Sequence, residues 1–80
     1  MGGRASIATS SSASDLAVDA SGVYWANDLK PGGSILHVGL AGGTTTQLAG
    51  NLSGPVAVAL GSDAVYWINS GTNEIMKIAK

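Results

Sequence analysis

Cysteine and phenylalanine are absent from this chain, and histidine occurs once. Without cysteine there is no disulfide and no thiolate metal site, and a lone His37 leaves no imidazole cluster for a metal or a catalytic base set. The missing cysteine assigns no compartment. Charge is also scarce, with 4 basic against 5 acidic residues in 80, and no basic stripe that would mark nucleic acid as a partner. No apolar run approaches the roughly 18 residues that a membrane-crossing helix needs. The N-terminus lacks the charged stretch and apolar core of a signal peptide. Helical spacing is sustained nowhere, because twelve glycines interrupt every candidate window. What remains is 45% apolar and only 11% charged, a sparse polar coat for a free-standing 80-residue globule. The expectation is that much of its surface is covered by something else.

What the chain does have is a repeat. Val23-Tyr24-Trp25 with Asn27 returns 42 positions later as Val65-Tyr66-Trp67 with Asn69. Gly2-Gly3 returns as Gly42-Gly43 and Ile35 as Ile75, both 40 positions on, which is half the chain length. A period in this range marks a repeat architecture whose units bury their faces against each other. Two length differences are expected to separate the copies. Residues 19–22 stand against 59–64, and residues 28–34 against 70–74, so turns take up the change while strands keep their length.

Within each copy, short β-rich runs recur about every ten residues between Gly, Asn and Ser turn signals, which predicts an all-β chain. Strands are expected over 16–18, 23–27, 35–38 and 44–49, then 56–60, 64–69 and 74–78. Four strands in about 40 residues is the size of one blade of a β-propeller. The fold expected is therefore four-stranded antiparallel propeller blades, in a ring completed by homo-oligomerisation. The first blade spans 16–49 and the second offers three strands over 56–80, with linkers at 10–15 and 50–55. Residues 1–9, including Ile7, align with the turn and fourth strand of the first copy. They are read as an outer strand that completes a neighbouring chain's last blade. Met1 stands where Ala41 precedes the second Gly-Gly, as an initiator at a chosen cut would, so a natural chain and an engineered fragment are both open.

Tyr-Trp-x-Asn after a short apolar strand resembles the YWTD class of propeller repeats found in low-density-lipoprotein-receptor relatives. The unit is also similar to tandem propeller repeats of bacterial, especially myxobacterial, extracellular proteins. The likeness runs through Gly42-Gly43, Leu48-Ala49, Pro55, Ala57-Val58, Val65-Tyr66-Trp67, Asn69, Ile75 and Lys77, and covers nearly the whole chain. It departs where Ala26-Asn27 and Ile68-Asn69 replace Thr-Asp. In that class the Asp belongs to an inter-blade hydrogen-bond network, and Asn27 and Asn69 stand in its place here. The resemblance implies the fold and an extracellular or cell-surface parent repeat; it says little about activity, since propellers host many unrelated functions.

Two blades cannot close a ring, so the partner expected is the chain itself. Three copies giving six blades is the favoured ring and four giving eight the second. The residues expected to carry blade packing and assembly are Ile7, Tyr24, Trp25, Asn27, Val58, Tyr66, Trp67, Asn69 and Ile75. The four aromatics could instead form a stacking platform for sugar rings, in a glycan- or protein-binding ring that uses loops such as 28–33. Their recurrence at one place in both copies favours packing. Asp19 and Asp63 read as turn caps rather than calcium ligands, for no Asp-x-Asp cluster surrounds them. His37 aligns with Lys77 and reads as a solvated side chain. Gly32-Gly33 and Gly42-Gly43 read as hairpin turns, and no acid, base and nucleophile set is apparent. No catalysis, cofactor or metal is therefore expected.

Overall fold

A computed structural model of the chain describes residues 6–9 and 12–80. They form seven antiparallel strands in two sheets, and no helix. The first sheet has the order β1 (Ala13–Asp19), β2 (Gly22–Asn27), β3 (Gly33–Val38), β4 (Thr46–Leu52). The second has β5 (Pro55–Leu60), β6 (Ala64–Asn69), β7 (Glu74–Ala79). Residues 6–9 carry no strand, and the remainder of the expected outer strand, residues 1–5, lies outside the described residues.

Each strand follows from its residues. β2 and β6 hold the β-branched and aromatic Val-Tyr-Trp runs, which suit a central, doubly packed strand. Ala20-Ser21 turns β1 into β2, and the Asp19 carboxylate accepts the Ser21 N–H at 2.8 Å and its hydroxyl at 2.6 Å. The β6–β7 turn places Asn73 at φ 57°, a left-handed conformation that asparagine tolerates. Gly71 in the same turn serves another purpose. A Cβ there would meet the Ser53 carbonyl at 2.8 Å, so glycine allows the chain entering the second sheet to pass close by.

Register corrects the alignment of the copies. Leu16 pairs with Trp25 as Val58 pairs with Trp67, and Val18 with Val23 as Leu60 with Val65. The first hairpins of the two sheets are therefore equal in length, and the 42-residue offset runs through β1 and β2. The expected difference between 19–22 and 59–64 is not there, because matching Val18 with Val58 slides the strand by two positions and keeps the same face inward. The other length difference is real. Asn27 pairs with Ser34, and Asn69 with Glu74, so the connection is longer in the first sheet. Strand pairing also extends into the stretches expected as linkers, since Ala13 pairs with Asn27 and Leu52 with Gly33.

The sheets pack face to face, with β5 against β1, β2 and β3. The core is one cluster of Tyr24, Ala26 and Ile35 from the first sheet with Val58, Val65 and Trp67 from the second. Leu48, Ala49, Leu60, Met76 and Ile78 close around it.

Candidate assembly surfaces

Side chains alternate along a strand, so Tyr and Trp of each Val-Tyr-Trp run leave on opposite faces of their sheet. In each sheet one face carries the Tyr and the other carries the Trp. On the first sheet, Tyr24 and Ala26 share the Tyr face with Ile35, while Val23 and Trp25 share the Trp face with Leu16, Val18 and Val38. On the second, Tyr66 and Ile68 share a face with Ile75, while Val65 and Trp67 share the other with Val58, Leu60, Met76 and Ile78.

The junction inside the chain is formed by unlike faces. The Tyr face of the first sheet meets the Trp face of the second. That leaves one face of each kind open, and the copies record the difference position by position. Tyr24 is 4% exposed and Tyr66 39%; Ile35 is fully buried and Ile75 82% exposed. On the other kind of face, Val58 is 9% exposed and its counterpart Leu16 61%. Among the described residues eight large hydrophobic side chains are exposed, and six of them lie on or against these two faces: Ile7, Leu16, Val18, Tyr66, Ile68 and Ile75. Scattered exposed apolar side chains need no explanation, but contiguous ones mark contact surfaces.

The open Trp face is an apolar groove of about 630 Å³, lined by Leu16, Val18, Val23, Trp25 and Val38, with Ile7, Ala8 and Thr9 lying along it. Trp25 and Val38 are buried although no second sheet covers them. Neither Trp25 Nε1 nor Trp67 Nε1 has a hydrogen-bond partner among the described residues.

Polar ties hold the junction within the chain. The β5 strand bulges between Val56 and Val58, and Val58 N–H donates to Asp15 Oδ2 at 2.8 Å. The Ser14 hydroxyl donates to the Pro55 carbonyl at 3.2 Å. At the rim, Lys80 forms an ion pair with Asp19 and lies 5.7 Å from the centre of the Tyr24 ring. The ammonium, followed by the Ser21 hydroxyl and backbone N–H, holds the Asp19 carboxyl at about 2. Ser21 Oγ also meets Tyr24 OH at 2.7 Å. His37 is not the solvated side chain expected from Lys77. It is half-buried, its ring 4.5 Å from that of Tyr24. Its Nε2 lies 2.8 Å from the Ser21 carbonyl, which can only accept, so Nε2 carries the proton.

Asn27 and Asn69 occupy one structural place. Asn27 Oδ1 accepts the Ser12 N–H at 3.0 Å, and Asn69 Oδ1 the Ser53 N–H at 3.1 Å. Backbone bonds follow the same plan, from Asp28 N to the Ser12 carbonyl and from Ser70 N to that of Gly54, both at 2.9 Å. Each Asn thus pins the segment entering its sheet to the central strand. Ser14, Asp15 and Lys80 were missed from sequence: the first two sit in a serine-rich run that reads as linker, and no local pattern marks Lys80. Among the described residues no three His, Asp or Glu side chains converge as a metal site. Comparison of the chain with protein-family models, curated proteins and solved structures found no match.

Proposed function

We propose that this chain is a structural, self-assembling module: two β-propeller blades that associate head to tail into a closed homo-oligomeric ring, with no catalysis of their own. One observation carries this reading. The two open faces are of the two kinds that meet inside the chain, so the Tyr66 face of one copy is matched to the Trp25 face of the next. A heterologous contact of this type generates a ring where the rotation from copy to copy closes.

The energetics favour closure over an open pair. Full burial of a large apolar side chain contributes roughly 1.5–3 kcal/mol, so completing the partly exposed Ile7, Leu16, Val18, Tyr66, Ile68 and Ile75 contributes on the order of 5–10 kcal/mol per junction. Holding two bodies together costs about 4–15 kcal/mol in lost freedom. A single junction is therefore marginal. The closing junction of a ring adds its burial without immobilising another copy, and this tips the balance.

Residues 1–9 complete the second blade of a neighbouring copy in this reading. Two features support it. β7 has a strand partner on one edge only among the described residues, and residues 7–9 already lie on the face where the preceding blade would sit. Three copies give six blades and four give eight; three is the ring we favour. Native mass spectrometry tests the proposal directly. A particle of three or four times the 7.9 kDa chain is expected, and a monomer at micromolar concentration refutes it.

A further inference from the structure

Given the ring proposed above, on which this inference rests, the junction within the chain is a template for the junction between chains. Among the described residues, polar contacts at three points join the first sheet to the second: Asp15 to Val58, Ser14 to Pro55, and Asp19 to Lys80. Each contact can be carried forward by the repeat, 42 positions in the first two strands of a unit and 40 in the third. The bulges shift this correspondence by one at a single point. On the open face of the second sheet Val56, which pairs with Ile68 as Asp15 pairs with Ala26, stands for Asp15; the bulge residue Ala57 stands for the bulge residue Ser14, and Gly61 for Asp19. On the open face of the first, Leu16 stands for Val58, Ala13 for Pro55 and Leu40 for Lys80. All six replacements are apolar or glycine, and no carboxylate, ammonium or hydroxyl survives at any of the three points.

We infer that one copy seats on the next in the register of the internal junction, through a contact that has none of its polar ties. Val56 of one copy lies against Leu16 of the next, Ala57 against Ala13, and Gly61 against Leu40. Ile75 enters the groove beside Val23 and Trp25, as Ile35 clusters with Val65 and Trp67. The ring then alternates two kinds of junction, tied within each chain and dry between chains. The division has a physical sense. Lys77, opposite Tyr66, is the charged side chain on the open face of the second sheet, and it stands where His37 makes its contacts with Tyr24 and Ser21 of its own sheet. The strength of the contact between copies therefore comes from apolar area and is insensitive to ionic strength.

The absence of cysteine makes the register directly testable. Leu16→Cys and Val56→Cys in one chain place thiols on opposite outer faces, since Leu16 pairs with Trp25 and Val56 with Ile68, so an internal disulfide is out of reach. Mild oxidation of the assembled double variant is expected to give a ladder of covalent multiples on a non-reducing gel, while either single variant gives none beyond a dimer. A ring of unchanged mass without the ladder overturns this register and leaves the ring standing. A monomer before oxidation overturns both. Ile75→Asp, at an open position that the single chain's core does not use, should weaken assembly at least about a hundred-fold, since it buries an unpaired carboxylate only when copies meet. Retained assembly in that variant counts against the register. The dry character has its own readout: the dissociation constant should change less than about three-fold between ~0.05 and ~1 M salt or tighten, and dissociation at high salt overturns it.

Discussion

Replacing Asn69 by alanine tests what holds each blade's entry segment in place. Asn69 is buried at the end of β6; its Oδ1 accepts the Ser53 N–H at 3.1 Å and its Nδ2 donates to Thr72 Oγ1 at 3.2 Å. Alanine removes both bonds, at about 1 kcal/mol each, and strands the half-buried Ser53 N–H at roughly another 1 kcal/mol. The expected loss is about 2–3 kcal/mol, or on the order of 10–20 °C in the unfolding midpoint of a domain this small. Asn69→Asp separates the parts. The carboxylate still accepts from Ser53, but it cannot donate to Thr72 and it faces Glu74, which already accepts the Thr72 hydroxyl at 2.8 Å. It should keep about half of what alanine loses. The assay is urea denaturation followed by circular dichroism, with all variants at one chain concentration because the proposed assembly would shift the midpoint. An alanine variant within about 0.5 kcal/mol of the parent refutes the reasoning. So does an aspartate variant as damaged as alanine, since accepting from Ser53 would then count for nothing.

The charged and strained positions each have an expected outcome. The folded Asp19 carboxyl sits at about 2 against an ordinary 3.8, so its contribution to stability is fully present above that ordinary value and is lost as pH falls through the folded one. Carboxyl NMR should place the transition near the lower value, and Asp19→Asn should flatten the loss of stability between the two; titration at 3.8 in the folded protein contradicts the Lys80 contact. Ala57 holds φ 53° in the β5 bulge and is exposed, so Ala57→Gly relieves left-handed strain of about 1–2 kcal/mol against a glycine entropy cost of about 0.4–1 kcal/mol. A net gain of up to about 1 kcal/mol is expected by denaturation, and a clear loss means that the bulge is not strained.

Most of the fold could be read from the chain because its signals are local. Val-Tyr-Trp runs, the alternation around Val56 and Val58, and turn residues between them suffice to place seven strands, since strand propensity and turn chemistry need no distant partner. Register did not yield in the same way. Val18 and Val58 look like counterparts, yet β1 aligns Leu16 with Val58. The bulges that decide this are properties of a strand pair, invisible in either strand alone. Ser14 and Asp15 were hidden for a related reason: a polar run becomes a strand there because Asn27 pairs with Ala13. Of the candidate surfaces, alternation gives which residues share a face. Which of the four faces remains open depends on how the two sheets meet, and no local pattern encodes that.

The differences between the copies bear on assembly as well. Had the open faces merely kept what the repeat supplies, Ile68 would be a small residue like Ala26, and an exposed position has no need of the larger one. Ile68 instead adds three side-chain carbons at a place where burial within the chain contributes nothing to filling a core. A related change stands nearby, where Val56 and Ala57 take the place of the polar Asp15 and Ser14. Facing them across the inferred junction, Leu16 gains a carbon on Val58 while Val18 and Val38 each lose one relative to Leu60 and Ile78. The paired faces are thus shifted from polar to apolar side chains, while the rim positions Gly61, Ala13 and Leu40 are smaller than Asp19, Pro55 and Lys80. A change from polar to apolar on two faces that do not touch within one chain is what the proposed contact between chains would require.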